Sequence, residues 1–293
     1  MSAGTLYIVA TPIGNLEDIT HRALRVLREV DLVACEDTRH TRVLLNHFGI
    51  KTKTISYHEH NERERAAEIC TLLASGKHVA LVSDAGTPLI NDPGFRVANA
   101  AIEQELPVVP IPGPTAFVSA LIASGLPSDE FYFAGFLPAR ANARRGKLEE
   151  LSVIPATMIF YETPHRISAT LNDALETLGN RRAAVARELT KIHEEIARGS
   201  LSTLARRFEA GTRARGEIVL IINGASADEP SVTATGEAAG TQPSSQSLIE
   251  RVSELERAGL DAKAALKKAA RELGMKRAEA YRLIVAQKNR RNK

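Results

Sequence analysis

Three polar stretches hold the side chains best suited to chemistry. Ser83-Asp84-Ala85-Gly86-Thr87-Pro88 follows the apolar run VALV and continues through Ile90 to NDPG. Such a loop lets a ligand approach backbone at Gly86, offers the Asp84 carboxylate to an ammonium or hydroxyl group, and is stiffened at Pro88. Asp, Gly and Pro after a strand also make an ordinary turn, which on local chemistry alone is the simpler reading. CEDTRHT carries Glu36, Asp37 and Arg39, and SYHEHNE carries His58, Glu59, His60, Asn61 and Glu62. Carboxylates and neutral imidazoles accept protons, while Arg39, Arg63 or Lys191 of RELTK can hold phosphate. Glu36 with Arg39 would equally make a surface ion pair, and two histidines this close more often hydrogen-bond than catalyse. A metal site is rejected because His58 and His60 have no evident third ligand. Cys35 and Cys70 are the only cysteines and read as reduced, buried, small hydrophobes.

A repeated strand-helix pattern must position these loops. TLYIVA ends in TPIGN, and Asp18 or Thr20 can cap an amphipathic stretch reaching Glu29. DLVACED, KTISYH, HVALVSD and LPVVPIP then read as short strands, alternating with the helical TRVLLNHF, ERAAEICTLLASG and FRVANAAIEQE. Alternation of this kind predicts parallel βαβ units, with SDAGTP at the ligand-facing carboxyl end of a strand. After GPT a second series begins: helical FVSALIASG, then the strand candidates FYFAGF, ATMIFYE, RAAVARE and EIVLIIN around RISATLNDALETLG and LSTLARRFEAG. KIHEEIARGSL and ARGEIVLI are expected to pair as an antiparallel edge, so this lobe should be mixed. Arg140, Arg144, Arg145 and Lys147 read as a basic loop able to track a phosphate backbone, and Pro164 as a helix-start proline leaving Arg166 free.

The 293 residues carry a net charge of +3, and its distribution is uneven. Residues 250–293 hold 13 Lys or Arg against 6 Asp or Glu, while the first 249 hold 25 against 29. A basic appendage on an acidic body suits a polyanionic partner, although a solvated helical tail fits equally on charge alone. Residues 226–247 contain one large aliphatic, Val232, among Ser, Thr, Gly, Ala, Pro and acids, and read as a flexible linker. Beyond it three helical patterns are broken at Gly259 and Gly274, the last two spaced like a helix-turn-helix. The expected domains are thus an α/β lobe over 1–113, a mixed lobe over 114–225, the linker, and a basic helical domain over 248–293. With no apolar run of membrane-spanning length and no leader-like start, the expected compartment is the cytoplasm.

LYIVATPIGNLEDIT, EDTRHT, SYHEHNE, LVSDAGTPLINDPG, PIPGPTA, FYETPHR, ARELTK and GEIVLII occur in the order of the tetrapyrrole methylase superfamily. The chain resembles in particular its ribosomal RNA small subunit methyltransferase I branch, over residues 4–224 and in the helical tail. No GxGxxG follows the first strand, which fits a cofactor geometry other than the Rossmann one. The resemblance implies S-adenosylmethionine folded into a cleft between two α/β lobes. It implies binding roles for Ile13, Ser83, Asp84, Ala85, Gly86, Thr87, Pro88 and Ile90, for Gly113, Thr115 and Ala116 at the lobe junction, and for Tyr161, Glu162, Ala186, Arg187 and Glu217 beside the adenosine.

The implied reaction is 2′-O-methylation of a cytidine ribose in 16S ribosomal RNA by a homodimer docked on the small ribosomal subunit. In-line displacement at a sulfonium needs an aligned oxygen and a proton acceptor. The acceptor pocket is expected from Glu36, Asp37 and Arg39, from His58, His60, Asn61 and Glu62, and from Lys191, with no single base assigned. Two rivals remain. A corrinoid or porphyrin methylase would need no basic tail, and Pro12-Ile13 replaces the glycine-rich loop of those enzymes. A ligand-sensing nucleic-acid-binding regulator would transfer no methyl group.

Overall fold

The computed structural model describes residues 2–209 and 216–225, and seven helical positions further on: 251, 252, 255, 265, 266, 268 and 269. The expected linker and the helix-turn-helix of the tail lie outside the described residues. The chain divides into two compact units, Met1–Thr233 and Ala234–Lys293. In the second, Val252 and Leu255, and likewise Ala265 and Ala269, are buried at helical spacing.

The first unit contains two five-stranded sheets. The first sheet comprises β1 (Leu6–Val9), β2 (Leu32–Cys35), β3 (Lys53–Ser56), β4 (Val79–Val82) and β5 (Val108–Ile111), in the order β3-β2-β4-β1-β5. All its pairings are parallel. The all-apolar VALV of β4 is buried throughout and sits centrally, while the mixed KTIS of β3 takes an edge. α1 (His21–Glu29) and α2 (Thr38–His47) cover one face through Val26, Leu27 and Leu45. The other face is covered by α3 (Glu62–Ala74) and α4 (Phe95–Glu103) through Ile69, Leu73 and Val97. Thr20 caps α1, its Oγ accepting the Ala23 N–H at 3.1 Å. Cys35 and Cys70 are free and buried, and burial pushes both thiols up in pKa.

α5 (Ala116–Ser124) leads into the second sheet: β6 (Phe131–Phe136), β7 (Thr157–Glu162), β8 (Arg182–Arg187), β9 (Glu195–Ser200) and β10 (Ile218–Ile222). The order is β6-β7-β10-β8-β9, mixed as expected, with only β6 and β7 parallel. The expected pairing of KIHEEIARGSL with ARGEIVLI is not formed. β9 pairs with β8, and β10 lies in the middle between β7 and β8. IVLII is buried at every position and needs cover on both sides and both faces, whereas EIARGS alternates polar groups that an edge tolerates. α6 (Ala141–Leu151), α7 (Ile167–Leu178) and α8 (Leu201–Arg207) pack on one face around Leu148, Leu171 and Leu204. α5 packs on the other, with Ala120 and Leu121 against Ile159, Ala184 and Ile221, and Ile13 of the first lobe joins that core.

Two readings of charge need correction. The basic loop is helix α6, and Arg144 is buried, its guanidinium 2.5 Å from Asp173 on α7. Arg145 approaches Asp173 at 3.6 Å and Lys147 pairs with Glu150 at 2.9 Å on the surface, so Arg144 joins α6 to α7 and, of the four cations, only the exposed Arg140 is without an ion pair among the described residues. Nor is Arg166 free. It donates to the Leu137 carbonyl at 2.7 Å and pairs with Glu162 at 3.3 Å.

Candidate functional site

The loops after β1, β2, β4 and β5 all leave from the carboxyl edge of the first sheet, where parallel sheets meet ligands. TPIGN and SDAGTP are locked together there: the Thr11 and Gly86 backbones exchange hydrogen bonds of 2.8 and 3.0 Å, and Thr11 Oγ donates to the Ser83 carbonyl at 3.1 Å. At Gly86, φ is +79°, a region that glycine enters freely. Asp84 accepts the Asp37 N–H at 3.2 Å, tying the loop to the start of α2. Thr87 and Thr115 share a hydrogen bond of 2.7 Å, fixing the loop to the start of α5.

Between this edge and the second sheet lies a cleft of about 300 Å³. Ile13, Asp84, Ala85, Gly86, Thr87, Ile90, Thr115 and Ala116 line it from one side, and Tyr161, Glu162 and Glu217 from the other. Five further expected positions do not line it. Ser83 is buried and faces a groove beside the cleft, Pro88 is buried, and Gly113 packs so tightly on Ala10 that a Cβ would sit 2.9 Å from that methyl. Ala186 is fully buried in the core, and Arg187 turns to Glu195 at 2.5 Å.

Asn91, Asp92, Phe136 and Thr163 complete the wall, as do Gly216, Ile218 and Val219. Asp92 lies in the same LINDPG motif, two residues past Ile90. Phe136 follows Gly135, whose φ of +65° accompanies a register shift between β6 and β7. An isolated glycine inside a strand pattern signals such a bulge, and bulges re-aim neighbouring side chains. Phe136 thus stands half exposed at the cleft, its ring 5.6 Å from Tyr161.

The electrostatics of the cleft favour a cation. Asp84, Asp92 and Glu217 all line it, and among the described residues the basic group paired with Glu217 is Lys191, its Nζ at 3.9 Å. Burial pushes the Asp92 carboxyl up, a hydrogen bond with Ser83 opposes this, and the Asp84 and Glu217 charges add to the rise. Burial also pushes the Tyr161 phenol up to about 12, so it stays a neutral hydroxyl. Glu162 is committed elsewhere, accepting from Thr170 Oγ at 2.6 Å and Thr163 N–H at 2.8 Å. Apolar walls at Ile13, Ile90, Ala116 and Val219 suit a flat heterocycle, and Asp84 and Asp92, which have no ion-pair partner among the described residues, suit an ammonium or sulfonium.

A second groove of about 340 Å³ adjoins the cleft, sharing Ile13, Asp84, Ala85 and Glu217. Pro12, Gly14, Leu16, His40, Thr41 and Lys191 are among its walls. Gly14 allows the closeness: a Cβ there would lie 2.5 Å from Lys191 Cγ. Lys191 pairs with Glu188 at 2.9 Å, and that hydrogen bond holds the Glu188 carboxyl below its ordinary range.

Of the eight acceptor-side expectations, Lys191 lines this groove and the rest do not. Asp37 caps α2 and pairs with Arg39 at 2.7 Å, which replaces the Glu36–Arg39 pair considered from sequence and holds Asp37 well below the usual carboxylate range. Glu36 is exposed at the rim, its pKa raised by burial and by Asp84, Asp92 and Glu59. Asn61 is spent on its own turn, accepting the His58 N–H at 2.8 Å and donating to the Ser56 carbonyl at 3.1 Å. Glu62 accepts from the Tyr57 hydroxyl and pairs with Arg96, both at 3.3 Å. His58 and His60 stack edge to face, 5.9 Å apart. Among the described residues no group of three His, Cys, Asp or Glu is placed to hold a metal ion.

Comparison with known proteins places this architecture. The family model for tetrapyrrole (corrin/porphyrin) methylases matches residues 5–205. A protein of Mesorhizobium japonicum named ribosomal RNA small subunit methyltransferase I is 53% identical over 228 residues, covering 77% of this chain and 78% of its own. Proteins of the same name from Halalkalibacterium halodurans and Escherichia coli O157:H7 are 52% and 50% identical, covering 75% and 80% of this chain and 76% and 82% of theirs. Among solved structures, uroporphyrin-III-C-methyltransferase from Thermus thermophilus superposes with a TM-score of 0.55 at 22% identity, over 75% of this chain and 94% of that one. A cobalt precorrin-4 methyltransferase gives 0.57 at 16% identity, over the same shares. Such identities speak for the fold alone. Two sheets meeting at a loop-lined cleft, the motif order along the chain and the extent of the family match agree: the chain belongs to the tetrapyrrole methylase family.

Proposed function

We propose that this chain transfers the methyl group of S-adenosylmethionine to the ribose 2′-hydroxyl of a cytidine in 16S ribosomal RNA. The observation that carries the reading is the apolar-walled cleft whose carboxylates, Asp84 and Asp92, face inward beside the SDAGTP loop. When bound there, S-adenosylmethionine supplies a methyl carbon on a sulfonium leaving group. Asp84, Asp92 and Glu217 would hold that positive charge, and Ile13, Ile90, Ala116 and Tyr161 would flank the adenosine. The adjoining groove receives the acceptor ribose. Asp84 and Glu217 border both compartments, so either carboxylate lies where a departing hydroxyl proton is taken up. Lys191 borders the groove held between Glu188 and Glu217, and there it positions the Glu217 carboxylate. The rim residues Glu36, Arg39, His58 and His60 contact RNA further out, and Asp37, Asn61 and Glu62 shape those loops.

Relatives half identical to this chain carry the ribosomal RNA name, whereas the solved tetrapyrrole enzymes are 16–22% identical, which favours RNA over a corrinoid acceptor. The remaining assignments belong to the same proposal. Residues 1–113 and 114–225 act as the two jaws, 226–247 as linker and 248–293 as a basic helical arm that docks on the small subunit. The protein works in the cytoplasm, and no helix among the described residues is long and apolar enough to cross a membrane. It works as a homodimer, as the family resemblance implies. Incubating the protein with methyl-labelled S-adenosylmethionine and unmodified small subunits should label one cytidine ribose. Specific binding to duplex DNA with no methyl transfer would favour the regulator instead.

A further inference from the structure

The lysines of the first lobe are few and gathered. Residues 1–113 contain three, Lys51, Lys53 and Lys77, and all three line one open trough of about 790 Å³ together with Arg28. The trough lies at the amino edge of the first sheet, where Leu32 opens β2 and Lys53 opens β3, opposite the edge that carries the cleft.

Its construction keeps the cations unneutralised. Ile50 is buried and its N–H is bonded to the Leu45 carbonyl at 2.8 Å, anchoring the segment. Thr52 is pinned by its hydroxyl to the Leu27 carbonyl at 2.6 Å, and in extended backbone its neighbours Lys51 and Lys53 share the other side. Arg28 is steadied by the Phe48 carbonyl at 3.3 Å. Of the trough's two acids, Glu68 pairs with Arg65, and Asp31 accepts the His78 N–H at 2.8 Å and keeps its charge outside ion-pair distance of the lysines. No acidic side chain lies within ion-pair distance of the three lysines, all exposed, among the described residues.

We propose that this trough is a second docking surface for the RNA backbone, binding phosphates remote from the reacting ribose. The inference rests on the RNA-methylating reading above. The body that carries it is acidic overall, so a furrow with four cations and one unpaired carboxylate, Asp31, fits a polyanion rather than a neutral partner. Phosphate neutralisation releases counterions, so each contact contributes about 0.7 to 0.9 to the slope of log K against log salt.

The test uses the full chain and purified unmodified small subunits, with affinity measured across a salt series. Lys51→Gln/Lys53→Gln/Lys77→Gln should flatten the slope by about 2 to 3 and weaken binding on the order of tenfold at physiological salt, while leaving S-adenosylmethionine affinity at the wild-type value. Lys147→Gln, which neutralises a lysine already paired with Glu150, should leave the slope unchanged. A triple variant with wild-type slope and affinity, beside a wild type that binds and methylates, overturns the trough alone. A wild type that neither binds nor methylates small subunits overturns the functional reading and the trough with it.

Discussion

Asp173→Ala removes the partner of the buried Arg144 guanidinium and isolates what that pair does. The two side chains are 5% and 10% exposed, so the charge left behind has little access to water. Breaking a buried pair from one side costs about 3 to 5 kcal/mol. Arg144 keeps one bond, to the Ala139 carbonyl at 3.2 Å, and the half-exposed Arg145 loses only a contact of 3.6 Å, which places the cost near the lower bound. A loss of about 3 kcal/mol in a body of this size lowers Tm by roughly 6 to 12 °C. Circular dichroism during heating and urea titration measures it. Replacing both residues by apolar ones, Arg144→Met with Asp173→Leu, should recover stability to within about 1 kcal/mol of wild type, because no charge is then stranded. If Asp173→Ala were as stable as wild type while gaining affinity for RNA, Arg144 and Arg145 would be phosphate-binding cations that Asp173 only masks, and the structural role would be wrong.

Other consequences concern the cleft and the tail. Asp84→Ala should raise the Kd for S-adenosylmethionine at least tenfold in calorimetry, and unchanged affinity would remove the SDAGTP loop from the site. Asp92→Asn should stabilise the protein at pH 7 while weakening cofactor binding. Burial raises the folded pKa of Asp92 above its ordinary 3.8, so its charged form costs stability once pH has risen through that folded value, and the cost is absent below 3.8. The Tm gain of Asp92→Asn should therefore vanish below about pH 4, and a gain that persists there would have another origin. Deleting residues 248–293 should leave cofactor affinity intact and abolish RNA modification, and equal loss of both would end the division of labour between jaws and arm.

Much of this molecule was legible because the residues obey local rules. VALV and IVLII are apolar throughout and become interior strands, and Thr20 caps α1 where it stands three residues before Ala23. SDAGTP sits at a strand end, and its Asp84, Ala85, Gly86 and Thr87 line the cleft. Partners distant in sequence were harder. Nothing local tells that β10 inserts between β7 and β8, since strand order depends on which faces need cover. The cationic run at 140–147 looked like loop chemistry because Asp173, lying 29 residues away from Arg144, is not part of it. The polar richness of CEDTRHT and SYHEHNE pointed to an acceptor pocket. Asp37, Asn61 and Glu62 turn out to use their side chains on caps, turns and ion pairs, while His40 and Thr41, one and two residues past Arg39, face the groove.

The most direct measurement is a crystal structure of the full chain grown with S-adenosylhomocysteine, the product of the proposed methyl transfer. The ligand should lie between the two sheets, its amino acid end beside Asp84 and Thr87 and its adenosine against Ala116 and Tyr161. Density for it anywhere else, or a protein that crystallises from millimolar ligand with Ile13, Ile90 and Val219 packed together and no ligand between them, would contradict the assignment.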